Sequence, residues 1–190
     1  DGQLYKFNTS YDFSDDMMGY FTYSEGYRFG AGNSLGLCTP EQIGSGQQEQ
    51  CALPDEFDYA PDQTNNYELG IRSVWLDSRL TVNGAVYYID WEDPQLDSTT
   101  LLASLPITIN GDGAASQGVE LSFDWLIMDN FSLRGSYAYT DAELTDDVKD
   151  LVSTVEPGGL TPIRVDGKDG DRLPGAPQQQ FWCCCGEQQS

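Results

Sequence analysis

The sequence predicts an all-β chain, an antiparallel up-and-down transmembrane β-barrel segment of about seven strands. Three observations predict it. Apolar and polar residues alternate with period two over stretches of about ten residues, whereas strands in soluble domains usually run about five or six. Turns of a few residues alternate along the chain with long loops at 31–64, 92–116 and 143–172. The apolar faces are aromatic and continuous, while charged residues occupy the opposite faces. About ten residues is also what a tilted strand needs to cross a bilayer.

The first strand is Leu4 to Phe13, where Tyr5, Phe7, Tyr11 and Phe13 oppose Lys6, Asn8, Ser10 and Asp12. Ser14-Asp15-Asp16 turns the chain, because such side chains bond their own backbone. Gly19 to Phe29 then rises with Phe21, Tyr23, Tyr27 and Phe29 on one face. From Ala31 to Thr64 the alternation gives way to Gly, Ser, Gln, Pro and six carboxylates, with no Lys or Arg. A loop of that size is usually functional or disordered. Leu69, Ile71 and Trp75 next face away from Glu68 and Arg72; after a turn at Asp77-Ser78, Val82, Val86 and Tyr88 face away from Asn83. A second loop, 92–116, has four acids and no base.

The longest hairpin follows, QGVELSFDWLIMDNFSLRGSYAYT from Gln117 to Thr140. Leu121, Phe123, Trp125, Leu133 and Tyr137 take one face; Glu120, Asp124 and Arg134 take the other. The third loop, 143–172, holds eight acids and four bases. Leu173-Pro174-Gly175-Ala176-Pro177 leads to Gln178–Trp182, which reads as a seventh strand cut short, so the barrel segment is assigned to 1–182 and an atypical tail to 183–190. Short turns at one end and long loops at the other are the periplasmic turns and extracellular loops of an outer-membrane barrel. Leu69, Ile71, Trp75, Val82, Val86, Tyr88, Leu121, Phe123, Trp125, Leu133 and Tyr137 are then expected to face lipid. Glu68, Arg72, Asn83, Glu120, Asp124 and Arg134 are expected to face the lumen, with Glu68–Arg72 and Asp124–Arg134 as ion pairs.

The alternative is a secreted or surface β-sandwich that binds carbohydrate. A sandwich also alternates and carries loops at its ends, but its outward faces should be polar.

The net charge is −22, from 31 acidic and 9 basic residues with no histidine. A phosphate backbone needs a basic stripe, so nucleic-acid binding is excluded. Aromatic residues at 12% exceed what a disordered acidic chain carries. No window reaches the length of a transmembrane helix, and the chain opens like a mature secreted protein or an excised piece. Of five cysteines, Cys38 and Cys51 are expected to form a disulfide worth about 3 kcal/mol in the chain-entropy model; Cys183, Cys184 and Cys185 have no such assignment.

No motif points to catalysis or to a bound cofactor. Gly32-Asn33-Ser34-Leu35-Gly36 fits the nucleophile-elbow pattern but lacks the following helix and any histidine base. Asp166-Gly167-Lys168-Asp169-Gly170-Asp171 lacks the closing glutamate of a calcium loop, whose position falls on Pro177. Asn8-Thr9-Ser10 and Asn130-Phe131-Ser132 fit the glycosylation pattern, which has no meaning in a bacterial outer membrane. The acidic loops should repel anionic ligands unless cations intervene.

Tyr23-Ser24-Glu25-Gly26-Tyr27-Arg28-Phe29-Gly30, Asn66-Tyr67-Glu68-Leu69-Gly70-Ile71-Arg72, Leu80-Thr81-Val82-Asn83 with Tyr87-Tyr88-Ile89-Asp90-Trp91, Gln117-Gly118-Val119-Glu120-Leu121 and Leu173-Pro174-Gly175-Ala176-Pro177 resemble successive barrel segments of TonB-dependent outer-membrane receptors. The resemblance implies a 22-stranded barrel in a Gram-negative outer membrane, of which this chain forms part of the C-terminal half. It implies uptake of a scarce ligand such as a ferric siderophore or cobalamin. The implied partners are outer-membrane lipid, the small-molecule ligand, a plug domain of the same receptor and TonB. The chain departs from the pattern in lacking a plug segment, a TonB-binding box and an aromatic-ended final strand, and about seven strands cannot close a barrel of that size.

Overall fold

The computed structural model describes residues 3–45, 49–155 and 162–187. Seven long strands form one antiparallel sheet in the order β1-β2-β5-β6-β9-β10-β13. They are β1 (Lys6–Ser14), β2 (Met17–Arg28), β5 (Asp62–Trp75), β6 (Leu80–Glu92), β9 (Gly113–Met128), β10 (Phe131–Leu144) and β13 (Gln179–Glu187). Between them lie β3 (Ala31–Gly32), β4 (Asp58–Tyr59), β7 (Gln95–Thr99), β8 (Pro106–Asn110), β11 (Val148–Val155), β12 (Pro162–Gly167) and the helix α1 (Pro40–Gly44). The order is up-and-down throughout, and β1 and β13 are the two edges, so the sheet is open.

Register carries the sequence alternation across the sheet. Thr9, Phe21, Leu69, Val86, Val119, Tyr139 and Gln179 form one cross-strand row. Two residues along, Tyr11, Gly19, Ile71, Gly84, Leu121, Tyr137 and Phe181 form the next row on that same face. Side chains one residue out of step point the other way, so Tyr20, Gly70, Ala85, Glu120, Ala138 and Gln180 form a row on the opposite face. A one-residue slip would turn every apolar side chain over, which is why a one-sided pattern fixes register so strongly.

No second sheet covers the apolar face among the described residues; Leu69, for example, is 58% exposed. That face is the reverse of a sandwich, whose apolar faces interlock in a dry centre. The packed core lies at one end instead. Leu96, Ala114, Leu144 and Val148 are buried together, with Trp91, Ile109, Leu151 and Leu173 packed against them.

The strands run further than the alternation does. β9 spans 16 residues and β5 and β10 span 14 each. The periodicity fades at Gln63 and Asp62 because both faces become polar there, yet the backbone ladder continues to Arg28↔Asp62. The three long loops are structured as well: β3 and β4 pair, and β7–β8 and β11–β12 are hairpins. β13 does not stop at Trp182. It continues through Cys183, Cys184 and Cys185, which pair with Gly135, Arg134 and Leu133 of β10, because an open ladder edge accepts backbone whatever its side chains. The three cysteines are exposed and free. Of the tail, 188–190 lie outside the described residues, as do 46–48 and 156–161 of the loops.

At the short-turn end Leu76, Asp77 and Ser78 all have positive φ, 58°, 53° and 66°. Non-glycine residues pay for that conformation, and the turn is pinned in compensation: Arg79 donates to the backbone oxygens of Leu126 and Ile127, each at 3.1 Å.

Candidate functional site

The long-loop end is where the chain brings distant residues together. Cys38 and Cys51 are disulfide-bonded, with Cα atoms 5.0 Å apart. Between them Thr39 caps α1 in a reciprocal box: its hydroxyl accepts from the Gln42 N–H, and the Gln42 side-chain oxygen accepts from the Thr39 N–H at 2.9 Å.

Asn33 ties this first loop to the second. Its amide donates to the backbone oxygens of Glu56 at 2.9 Å and Thr108 at 2.8 Å, and its oxygen accepts from the Thr108 N–H at 2.9 Å. The elbow-like motif is therefore a structural peg. Glu56 is the second tie: its carboxylate accepts from the N–H groups of Leu53 and Leu101 and from Arg164 at 2.9 Å. Arg164 also reaches Asp55 at 3.1 Å and Asp150 at 3.3 Å, so one guanidinium joins the first and third loops. The Glu56 side chain is 5% exposed and that of Arg164 18%. Burial works against the Arg164 charge, but Asp55, Glu56 and Asp150 outweigh it and raise its pKa further above the ordinary arginine value.

A second node stands at the strand tops. The Asp62 carboxylate, 2% exposed, accepts from the Arg28 guanidinium, from the Trp91 indole at 2.8 Å and from the Gln95 N–H at 3.1 Å. A strand of 14 residues exceeds the roughly ten that cross a bilayer, which leaves Asp62 outside the spanning part. Burial pushes its carboxyl up, but these donors more than offset that and hold it below the ordinary value. The Arg28 guanidinium lies 5.0 Å over the Trp91 ring, within reach of a cation–π attraction.

Down the polar face the expected residues share one side of the sheet. Arg134 and Asp124 are cross-strand neighbours and form an ion pair at 2.8 Å. Glu68 and Arg72 do not pair with each other. Four residues apart on a strand they are separated by about 13 Å; Glu68 instead accepts from the Tyr20 hydroxyl at 2.7 Å, and the Arg72 guanidinium lies 5.4 Å from the Tyr20 ring. Asn83 donates to Ser122 at 3.5 Å. Tyr20 has no role that the sequence assigns; its only signal there is an aromatic on the polar side of its strand.

Lys168 lies 3.1 Å from Asp147 and 3.3 Å from Asp166, so the lysine of the acidic 166–171 stretch pairs with one acid inside it and one outside. Among the described residues no group of three or more potential ligands could hold a metal ion.

Residues 1–181 match the family described as TonB dependent receptor-like, beta-barrel. The chain belongs to that family. As a TonB-dependent receptor barrel segment it belongs to the Gram-negative outer membrane. It is 28% identical over 142 residues to the ferrichrome outer membrane transporter/phage receptor of Escherichia coli (strain K12), which covers 73% of this chain and 16% of that protein. Solved structures share the fold. The ferric yersiniabactin uptake receptor FyuA from Yersinia pestis aligns with a TM-score of 0.64 at 17% identity, covering 96% of this chain and 22% of that one. The siderophore receptor PiuA from Acinetobacter baumannii aligns at 0.60 and 16% identity, covering 96% and 23%. The TonB-dependent receptor segment thus spans about a sixth of its curated relative and about a fifth of these structures.

Proposed function

We propose that this chain forms part of the wall and outer loops of a receptor that takes up a ferric siderophore across the outer membrane by an energy-coupled route. The carrying observation is the single seven-stranded sheet that, along the middle of its strands, holds the rows of large apolar side chains on one side. A sheet exposing such a face on one side and Glu68, Arg72, Asn83, Glu120, Asp124 and Arg134 on the other suits lipid outside and water inside. Leu69, Ile71, Trp75, Val82, Val86, Tyr88, Leu121, Phe123, Trp125, Leu133 and Tyr137 are accordingly assigned to the lipid face. The siderophore class is favoured over cobalamin because relatives are named for ferrichrome and ferric yersiniabactin.

In this mechanism the interlocked loops hold the ligand at the mouth, and a plug domain closes the lumen against the polar face. TonB, energised from the inner membrane, then moves the plug. The chain's own residues supply walls, loop rigidity and a wetted surface.

The test is uptake of radiolabelled iron by iron-starved cells, offered as ferrichrome or as a ferric catecholate. Deleting the gene should abolish uptake of at least one, and its return should restore uptake only where TonB is present. Uptake indifferent to the gene or to TonB would refute the receptor role.

A further inference from the structure

We propose that the cleft between the tops of β2 and β6, the strand β7 and the returning segment 171–174 binds a small amphipathic molecule with a flat apolar body and one anionic group. The cleft has a volume of about 560 Å³, within the range of small-molecule sites. Leu96, Leu144 and Leu173 supply its apolar wall, and Trp91 supplies an aromatic one.

Two arginines give it donors for an anion. The chain has six arginines against 31 acids, and two of those arginines, Arg28 and Arg172, line this one cleft. Asp62 holds Arg28 over Trp91 through its Nε and Nη2 atoms, leaving the Nη1 group without a hydrogen-bond partner among the described residues. Arg172 is only loosely engaged: Asp141 lies 3.6 Å away, the Thr140 oxygen 3.5 Å, and the side chain is 46% exposed. A cationic side chain with free N–H donors takes a carboxylate or a similar oxyanion through charge-assisted hydrogen bonds. Asp97 and Asp171 also line the cleft. Asp171 already accepts from the Lys168 N–H at 2.8 Å, and the Asp97 charge opposes a second anionic group, so a monoanion fits better than a dianion.

Position agrees with composition. Arg28 pairs with Asp62, Trp91 pairs with Thr64 and Ala114, and Ala114 pairs with Leu144. Counting in twos along each strand puts Arg28, Trp91 and Leu144 on the same face as Glu68, Arg72 and Glu120. The cleft therefore opens on the polar side, at the loop end. It goes beyond the receptor proposal, on which it rests for access from outside the cell, by assigning a second ligand class to particular residues.

The test uses the whole receptor in lipid nanodiscs with 2-naphthoate as probe and 2-naphthylmethanol as its uncharged counterpart, each corrected for binding to empty discs. Naphthoate should bind saturably, at least tenfold more tightly than the alcohol. Arg172→Gln and Trp91→Leu should each weaken it at least tenfold, whereas Arg172→Lys should stay within about threefold and Arg79→Gln, at the opposite end, should leave it unchanged. Heat-modified mobility in gels checks that each variant is folded. Equal binding of acid and alcohol, an unchanged Arg172→Gln variant, or equal loss in Arg172→Lys would overturn the proposal. Absent naphthoate binding alongside intact TonB-dependent iron uptake would refute the cleft alone; retained binding without any energised uptake would refute the receptor role alone.

Discussion

Tyr20 spreads its ring over Gly70, its direct cross-strand neighbour, and donates its hydroxyl to Glu68. A Cβ on Gly70 would fall 2.3 Å from that ring, so the glycine is there to make room for the tyrosine. A Cβ on Gly118 would meet the Tyr139 backbone oxygen first and then Tyr87, whose hydroxyl reaches on to Thr140 at 2.9 Å. Gly70→Val should displace Tyr20 from Glu68 and destabilise the folded barrel by about 1–3 kcal/mol, read as a lower urea midpoint in lipid vesicles; an unmoved midpoint would show that the niche is dispensable. Asp62 gives a pH expectation. Its folded pKa lies below the ordinary 3.8, so its contribution is complete above that value and fades as pH falls through the lower folded one. Protection of the Gln95 N–H from hydrogen exchange, corrected for intrinsic rate, should therefore hold from about pH 7 to 4 and fall only below that. Neither interaction is legible in the sequence, because a side chain's partner on another strand depends on register.

Among the elements, the hairpin of β9 and β10 offers the sharpest contrast. Leu121 and Ser122 are adjacent but face opposite ways, Leu121 beside Tyr137 and Ser122 beside Asn83. Leu121→Arg should cost about 2–4 kcal/mol if it meets the middle of the bilayer, while Ser122→Arg on a wet lumen wall should cost little. Equilibrium unfolding in vesicles distinguishes them, and equal costs would contradict the assignment of faces. The seven long strands and the three tight turns between them were legible because period-two alternation is local. Their upper ends were not, since a ladder that rises above the membrane loses its one-sided pattern while keeping its backbone bonds. The loop hairpins were missed for the same reason: β7 and β11 carry no clean alternation and pack on each other through the Ser98 hydroxyl and the Leu151 oxygen.

At the level of the whole molecule, the three long loops act as one body. Arg164 joins 55–56 to 150, Glu56 reaches Leu101, and Asn33 reaches Thr108, so residues more than seventy positions apart share one network. Removing Arg164 leaves the Glu56 carboxylate buried without its cation. Arg164→Ala should therefore destabilise the loop cluster by on the order of 2 kcal/mol and speed proteolysis of all three loops together. Lys168→Ala, whose ammonium and partners are exposed, should leave the cleavage pattern unchanged. Cleavage of only the third loop in Arg164→Ala would show that the loops move independently.

The sequence alone determined the class of wall: an alternation long enough to cross a bilayer, aromatic on one side and charged on the other, and a family resemblance running along nearly the whole chain. It also paired Cys38 with Cys51 and Asp124 with Arg134. Only the tertiary structure decided that Glu68 belongs to Tyr20 rather than Arg72, that Asn33 is a peg, and that two arginines meet Trp91 at one cleft. Alternation is written into neighbouring residues and survives without context. Contacts across strands and loops are set by register and by how loops fold over the sheet's end, which no local pattern encodes.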